Sequence, residues 1–205
     1  MSETPTPNTD ATGEGDGRQP RASASRRQDS SLRNMAEWVL VIVVAVSLSL
    51  IIKTYVVQAF KIPSASMETT LMVGDRVVVN KLSYRTHDVN RGDVVVFRRP
   101  PRAPSGPDEP AQLIKRVIGL PGDTVEARDG NVYIDGKRLD EPYLEEGTPT
   151  LGMDVPFKVP EGQIWVMGDN RLNSGDSRVF GSVDIDTIIG RAFFIIWPLG
   201  RITAL

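Results

Sequence analysis

One uninterrupted apolar segment near the N-terminus constrains the fold of this chain more than any other feature. Residues 39–52 are Val, Leu, Ile and Ala apart from two serines. Trp38 and Tyr55 flank the segment, where amphipathic rings favour a membrane interface. Counted from Ala36, the run of about 17 residues is at the short end of what spans a bilayer as a helix. We therefore predict a transmembrane anchor over residues 35–54 rather than a buried core helix, because the run is apolar on all sides.

The segment before the anchor has the composition of a disordered tail. Residues 1–34 contain no aromatic residue, no Ile and no Val, so they bury too little apolar surface to offset the entropy of folding. Four arginines lie within about 16 residues before the anchor, whereas Lys53 and Lys61 are the nearest cations after it. This bias predicts a cytoplasmic N-terminus, one pass through the plasma membrane and an extracytoplasmic C-terminal region.

A cleaved export signal is the alternative interpretation of the same region. Ser25-Arg26-Arg27 loosely matches a twin-arginine signal, and Val57-Gln58-Ala59 is an acceptable small-residue cleavage site. Two features favour the uncleaved anchor. The polar region before the apolar run is long, and Lys53 interrupts the expected transition from the apolar run to a cleavage site.

Residues 55–205 have the pattern of one β-rich domain. Asp129-Gly130 and Asp135-Gly136 follow apolar runs at the spacing of tight hairpins. The segment Pro100–Pro110 contains five prolines and predicts a surface loop. We expect a mainly β fold with an exposed apolar edge facing lipid. The predicted strands are short runs rich in Val, Ile and aromatic residues: Arg76–Asn80, Asp93–Phe97, Leu113–Ile118, Thr124–Ala127, Asn131–Ile134, Gln163–Met167 and Arg191–Trp197.

Composition excludes several kinds of site. The chain has no cysteine, so thiol catalysis, disulfides and thiolate metal sites are impossible. Its single histidine, His87, cannot form a metal site that needs two or three histidines. A Ser-His-Asp triad stays open, although a solvated loop histidine is the simpler interpretation. The net charge of −2 is too balanced to indicate nucleic-acid binding.

Two serines close to the predicted anchor are candidate nucleophiles. Ser64 and Ser66 follow Pro63 in the run Phe60–Met67. A serine hydroxyl is a weak nucleophile until a base removes its proton. Lysine can be that base only when it is neutral, which requires its pKa to fall by roughly 2–3 units from about 10.4.

Lys115 is the candidate base because it lies inside an apolar run. On a strand it shares a face with Leu113 and Val117, and burial among apolar side chains lowers the pKa of an amine. Arg116 then points to the opposite face, where an ion pair suits it. The alternation alone favours an exposed lysine on an edge strand, so both interpretations stay open at this point.

Five blocks occur in order over residues 60–178. They are Phe60–Met67, Gly74-Asp75, Arg91–Phe97, Ile114–Asp123 and Gly168–Arg178. Together they resemble the conserved motifs of bacterial type I signal peptidases, which are Ser-Lys serine endopeptidases of peptidase family S26. The resemblance also fits an N-terminal anchor followed by a β-rich catalytic domain.

The resemblance implies a role for each matched residue. Ser66 matches the nucleophile and Lys115 the general base. Ser64 matches a side-chain donor to the oxyanion, beside the Ser66 backbone N–H. In the last block, Ser174 matches the hydroxyl that orients the lysine, and Asp176 with Arg178 matches a supporting ion pair.

Simpler structural explanations exist for several of these matches. Ser64 follows Pro63, where a turn also favours serine. Ser174 lies in a Gly- and Asn-rich loop, and Asp176 with Arg178 also fits a solvated surface pair. Thr69 stands where the family usually has proline, so the backbone after Ser66 is less constrained.

The resemblance therefore implies an anchored endopeptidase that removes signal peptides from exported preproteins through an acyl-enzyme. It implies small substrate side chains at the first and third positions before the cut and an extended substrate. No metal, cofactor or nucleic acid is expected, and the expected partners are preproteins, membrane lipid and the secretion translocon. The alternatives are an anchored β-domain that binds exported polypeptides without cleaving them and a self-cleaving repressor-type peptidase. The predicted substrate-binding residues are Ile62, Met67, Leu71 and Ile114.

Overall fold

The computed structural model describes residues 24–104, 110–153 and 155–205, with side chains from Asn34 onward except that of Thr86. Helix α1 spans Ala24–Ile51 and continues into one π-helical turn at Ile52–Val56. Residues 24–34 are thus helical where the sequence predicts disorder, and the rest of the predicted tail lies outside the described residues. Residues 24–34 contain neither Pro nor Gly, and extending an existing helix needs no new nucleus.

The apolar part of α1 is long enough to cross a membrane. Asn34–Val56 is a stretch of 23 residues with a mean hydropathy of 2.5 in its most apolar window. Its apolar side chains are exposed, with Val39, Leu40 and Ile42 each more than half accessible. This exposure argues against the alternative of a buried core helix.

Residues 57–205 fold into two antiparallel sheets. The strands of the larger sheet are β1 (Val57–Lys61), β2 (Arg76–Asn80), β3 (Val94–Arg98), β4 (Gln112–Gly119), β9 (Gln163–Met167), β10 (Val183–Asp184), β11 (Ile188–Trp197) and β12 (Thr203–Ala204). Their order is β1-β2-β11-β3-β4-β9-β10, and β12 pairs with β11. The smaller sheet contains β5 (Thr124–Arg128), β6 (Asn131–Ile134), β7 (Lys137–Arg138) and β8 (Phe157–Lys158), in the order β7-β6-β5-β8.

Short helical segments complete the domain. Helices α2 and α3 cover Ser83–Thr86 and Ser177–Phe180. Single 3-10 turns occur at Ala65–Met67, Ile185–Thr187 and Leu199–Arg201. The predicted mainly β class with one N-terminal apolar helix is therefore confirmed.

The predicted strands agree closely with the structure. Strands β2, β6 and β9 have the predicted bounds, and β3, β4 and β5 differ by one residue at their ends. Strand β11 begins three residues earlier than expected, at Ile188. Strand β1 was missed because its sequence reads as a continuation of the apolar anchor. The two-residue strands β7, β8, β10 and β12 are too short to leave a periodic signal.

The hairpin prediction also holds. Asp129 and Gly130 have φ values of 51° and 75°, and Asp135 and Gly136 have 50° and 76°. Two successive residues with positive φ are the mark of a type I′ turn, which matches the twist of the joined strands. These turns connect β5 to β6 and β6 to β7.

The two faces of β3 and β4 pack against different apolar clusters. Val94 and Val96 belong to one cluster with Ile114, whereas Val95 belongs to another with Val117. Strand β4 lies between β3 and β9, so both of its edges are hydrogen-bonded. Lys115 is therefore on an interior strand, and the alternative of an exposed edge lysine is wrong.

Candidate active site

Ser66 lies in the 3-10 turn Ala65–Met67 just after β1. Met67 is completely buried and anchors the turn in the apolar core. The backbone N–H of Asn170 donates to Ser66 O at 3.2 Å, and its side-chain Nδ2 donates to Ala65 O at 3.1 Å. Asn170 thus holds the turn from the opposite side and leaves Ser66 partly exposed.

Lys115 reaches this turn from the middle of β4. The residue is only 3% exposed, and its Nζ donates to Ser66 Oγ at 2.5 Å. Lys115 pairs with Val95 across the strands and shares its face with Val117, both of which are fully buried. The structure therefore brings the predicted nucleophile and the predicted base into direct contact.

Burial lowers the pKa of the Lys115 amine to about 8. The negative charges of Asp176 and Asp169 oppose this shift, whereas the positive charges of Arg178 and Arg99 reinforce it. An amine with a pKa near 8 is about half neutral in mild alkali, so it can accept the proton of a neighbouring hydroxyl.

Ser64 lies on the exposed side of the same turn. Its Oγ is 3.4 Å from Ser66 Oγ, and its backbone is extended, with φ −134° and ψ 159°. The two hydroxyls therefore face the same space. Its predicted donation to an oxyanion stays a prediction.

Ser174 has a buried hydroxyl close to the turn. Its Oγ forms no hydrogen bond with any described residue, including Lys115. The hydroxyl still favours the charged form of Asp176, at a distance or angle outside ordinary hydrogen-bond geometry. Its predicted role in orienting the amine stays a prediction.

Asp176 and Arg178 form a buried ion pair rather than a solvated surface pair. Asp176 is fully buried and accepts from Arg178 Nε at 2.8 Å and Nη2 at 2.7 Å. It also accepts from the backbone N–H of Gly168 at 3.0 Å. Burial alone would raise the pKa of Asp176, but Arg178 and the Gly168 N–H outweigh it and hold the pKa below its ordinary value.

Gly168 is required by packing, which sequence reasoning missed. A Cβ at this position would lie 2.3 Å from Ser66 O and 2.3 Å from Ser174 Oγ. No side chain fits there without displacing the turn that carries Ser66. The only signal in the sequence is the glycine that opens the last matched block.

Arg116, next to Lys115, lies in a separate buried ion pair, as its position on the opposite face suggested. Its Nε and Nη2 donate to the two carboxylate oxygens of Asp169 at 2.9 Å and 2.6 Å. Thr70 Oγ1 also donates to Asp169, at 2.5 Å, and the Arg116 guanidinium stacks 3.9 Å from the Tyr143 ring centroid. Arg116 and Thr70 thus fix Asp169, which lies next to Asn170 in the loop that bonds the Ser66 turn.

Arg171 ties the same loop to the connection after β7. Its side chain is completely buried, and it donates to Thr150 Oγ1 at 2.6 Å and to both carboxylate oxygens of Glu141. Its Nε donates to Gly168 O at 3.1 Å. Sequence reasoning did not find Glu141 or Thr150, because neither lies in a matched block.

The predicted substrate-binding residues are buried in the apolar cluster that contains Val94 and Val96: Ile62 is 2% exposed, Met67 and Leu71 are 0% exposed and Ile114 is 9% exposed. Their role in binding substrate stays a prediction. The cleft beside Ser66 has a volume of about 280 Å³ and is lined by Ser64, Ala65, Ser66, Lys115, Leu113, Arg99, Ala103, Pro104, Asn173 and Gly175.

His87 takes no part in this cleft. It is exposed, its Nδ1 lies 2.9 Å from Asp88 O, and its ring meets Tyr84 edge-on at 5.6 Å. The Ser-His-Asp alternative is therefore not supported. A larger cavity of about 520 Å³ is lined by residues 129–131, 138–141 and 144–149 and includes none of the predicted site residues. Among the described residues, no group of His, Asp and Glu is arranged to hold a metal ion.

Comparison with known proteins gives a consistent result. Residues 35–197 match the family described as signal peptidase, peptidase S26. A probable signal peptidase I-2 of Synechocystis is 42% identical over 89% of this chain and 82% of its own length. A signal peptidase I of Leptolyngbya laminosa is 42% identical over 98% of this chain and 94% of its own length.

A solved structure of a signal peptidase I from Enterococcus faecalis is 33% identical to this chain. It covers 51% of this chain and 97% of its own, with a TM-score of 0.39. The family match and the two relatives cover most of this chain and most of each relative. The chain therefore belongs to the signal peptidase family, peptidase S26, and it is a serine endopeptidase.

Proposed function

We propose that this chain removes signal peptides from exported preproteins, with Ser66 as nucleophile and Lys115 as its base. The observation that carries the proposal is the 2.5 Å contact between Lys115 Nζ and Ser66 Oγ at a deeply buried amine. The relatives named as signal peptidases supply the substrate class.

In the proposed first step, neutral Lys115 takes the Ser66 proton as Ser66 Oγ attacks the scissile carbonyl carbon. The tetrahedral intermediate then collapses, the C–N bond breaks, and Lys115 returns the proton to the departing amine. The signal peptide is left as an ester on Ser66. A water molecule then gives a proton to Lys115 as its oxygen attacks the ester carbonyl carbon. The second tetrahedral intermediate collapses, the bond between the acyl carbon and Ser66 Oγ breaks, and Lys115 returns the proton to Ser66 Oγ. The signal peptide leaves as a carboxylic acid, which loses its proton to solvent.

Two donors are available for the developing oxyanion. The Ser64 hydroxyl faces the same space as Ser66 Oγ, and the backbone N–H of Ser66 lies on the same turn. Donors that meet charge only in the transition state lower the barrier without tightening substrate binding.

Substitution of Ser64 tests this part of the proposal. Ser64→Ala should lower kcat by about 10²–10³-fold and leave KM nearly unchanged. Ser64→Thr keeps a hydroxyl and should retain more activity than the alanine variant. A full kcat together with a lower melting temperature would instead identify Ser64 as a turn residue only.

The remaining predicted residues support the pair in this proposal. Asp176 fixes the backbone N–H of Gly168 while paired with Arg178, and Gly168 lies against the Ser66 turn. Ser174 has a buried hydroxyl beside Gly168 that favours the charged form of Asp176, and in this proposal it turns toward the amine during the reaction.

Membrane attachment is the second part of the proposal. One N-terminal apolar helix of 23 residues is consistent with an anchored signal peptidase. We assign the helix to a single pass with its N-terminus in the cytoplasm and residues 55–205 outside, from the excess of arginine before it. The relevant substrates emerge at that outer surface, where the secretion translocon delivers them.

Exposed apolar side chains of the β-domain suit contact with lipid. The end of β11 and the segment after it carry Phe193, Ile196, Trp197, Leu199 and Ile202, each between 38% and 71% exposed. An apolar surface of this kind on a soluble domain usually meets a protein or a membrane. A Trp among these residues favours the membrane interface.

The test is cleavage of a labelled preprotein by the purified full chain in detergent, with the new N-terminus mapped. Cleavage at a single site after a signal peptide supports the proposal, and the same reaction with Ser66→Ala is the control. Binding of the preprotein without any cleavage would favour the alternative of an anchored binding domain.

A further inference from the structure

One wall of the cleft beside Ser66 comes from the proline-rich segment after β3. Ala103 and Pro104 line the cleft on this side, facing Ser66 and Lys115. The wall is short and carries only small side chains. Neither residue belongs to a block that carries the family resemblance.

The guanidinium of Arg99 supports this wall. Its Nη1 donates to Pro104 O, and its Nε donates to Pro110 O at 2.8 Å. The backbone N–H of Arg99 also donates to Ala111 O at 3.0 Å. The Arg99 side chain therefore bonds both the wall residue Pro104 and Pro110, which lies two residues before β4.

Ala103 anchors the wall in the apolar core. It is 5% exposed and packs in the cluster that contains Val95, Phe97 and Val117. Its backbone N–H donates to Pro100 O at 3.0 Å, which closes a turn over residues 100–103. Pro104 is exposed, and its carbonyl accepts from Arg99, so Arg99 contributes to the position of Pro104.

We propose that Arg99 is a positioning residue that holds the Ala103–Pro104 wall and thereby limits the size of the substrate side chain accepted next to the scissile bond. The proposal rests on the function proposed above. It assigns selectivity for side-chain size to a wall outside the matched motifs.

The choice of arginine at this position follows from its geometry. A planar guanidinium presents several N–H donors in a fixed fork, so it can hold two carbonyl groups at once. A lysine carries the same charge on one nitrogen and cannot reproduce this fork. The positive charge of Arg99 also lowers the pKa of the Lys115 amine, as that of Arg178 does. The negative charges of Asp176 and Asp169 raise the same pKa.

The test compares kcat/KM for peptide substrates built on one cleaved preprotein sequence. Each substrate carries either Ala or Leu at one of the three positions before the cut or one of the two after it. The ratio of the two values at each position measures discrimination, and it does not depend on how much enzyme is folded. The variants are Arg99→Gln, Arg99→Lys and, as a matched control, Arg98→Gln.

We expect the wild-type protein to prefer Ala by about 10–200-fold at the position that meets the wall. Both Arg99→Gln and Arg99→Lys should reduce this preference by about tenfold, because neither side chain can hold both carbonyl groups. Arg98→Gln should keep the wild-type preference, since Arg98 is exposed and its Nη2 donates to Asp186 O at 3.1 Å, away from the wall.

Pro104→Ala provides an independent variant, because it shortens the wall and keeps the carbonyl that Arg99 holds. It should relax the preference at the same substrate position. Wild-type preference in both Arg99 variants would overturn the proposal, and so would wild-type preference in Arg99→Lys alone, which would assign the effect to charge. Failure of the wild-type protein to cleave any substrate would contradict the proposed function instead.

Discussion

Lys115 and Arg116 are adjacent buried cations on β4, and their surroundings differ completely. The Lys115 amine meets a hydroxyl, Ser66 Oγ, and carries no direct ion pair among the described contacts. The Arg116 guanidinium holds both carboxylate oxygens of Asp169 and a backbone carbonyl, Gly92 O at 2.9 Å. The strand thus buries one cation with a counter-ion and one without.

In the proposed mechanism, this difference separates the catalytic base, Lys115, from a structural cation, Arg116. A buried amine without a counter-ion is destabilised when charged, so its pKa falls and it becomes a base near neutral pH. A buried guanidinium with a bidentate carboxylate stays charged and fixes the backbone around it. Alternation along a strand is what allows both environments within two successive residues.

The largest expected effect is a loss of activity when Lys115 or its partner Ser66 is substituted. Ser66→Ala and Lys115→Ala should each lower kcat by at least about 10²–10⁴-fold, the usual contribution of a general base. The double variant should be no worse than either single one, because the two residues act as a unit. The measurement is preprotein cleavage under single-turnover conditions. Near-normal turnover by Lys115→Ala would refute the mechanism.

The next largest expected effect is a difference in stability between substitutions of Arg116 and of Lys115. Arg116→Met leaves Asp169 buried without its partner and should lower the free energy of unfolding by about 3–5 kcal/mol. Lys115→Met removes an amine whose depressed pKa costs the fold about 3 kcal/mol below pH 8, so stability should hold or rise. Urea unfolding of both variants at pH 7 provides the measurement, and equal losses in the two would contradict the comparison.

The same stability difference should depend on pH in a defined direction. Folded Lys115 loses its proton near pH 8, whereas the unfolded chain keeps it up to about 10.5. Between these values the unfolded state binds more protons, so the wild-type protein gains stability as pH rises. The advantage of Lys115→Met should therefore shrink over this interval.

Activity should follow the neutral form of Lys115. Below its pKa of about 8, kcat/KM should fall by about tenfold for each pH unit, and it should level off above that value. Measurements on one peptide substrate from about pH 5 to 9 would give the profile. A flat profile would exclude a lysine base.

The pairing of Ser66 with Lys115 was predictable through the resemblance of their two blocks to signal peptidase motifs. Local signals were weaker, because Pro63 and the hydroxyls mark only a turn and the alternation around Lys115 also fits an exposed edge strand. The strands themselves were predictable because Val- and Ile-rich runs bounded by Gly and Asp leave a strong period. Burial on both faces of β4 was not predictable, since it depends on which strands lie beside it.

The residues that hold the site were harder to predict because their partners are distant in sequence. Thr70 meets Asp169 across 99 positions, and Asn170 meets Ala65 across 105. The substrate-binding role of Ile62 and Leu71 stays a prediction for a related reason: both are buried and apolar, and a sequence pattern does not separate a core residue from the wall of a pocket. The wall at Pro104 had no apolar pattern to mark it.

The smallest expected effect is a loss of stability when Thr70, which bonds the Arg116–Asp169 ion pair, is substituted. Thr70 Oγ1 donates to Asp169 Oδ2 at 2.5 Å and accepts from Arg116 Nη2 at 3.3 Å, and neither of these hydrogen bonds involves Lys115. Thr70→Val keeps the shape but removes the hydroxyl, so it should lower the free energy of unfolding by about 1–3 kcal/mol. Thr203→Val, at an exposed threonine on β12, is the matched control and should leave stability unchanged. The pH profile of kcat/KM should stay in place in both variants, because neither change alters a charge or the burial of the amine. A profile displaced by Thr70→Val would mean that the Arg116 pair also tunes Lys115, and the division of β4 into a structural and a chemical cation would fail.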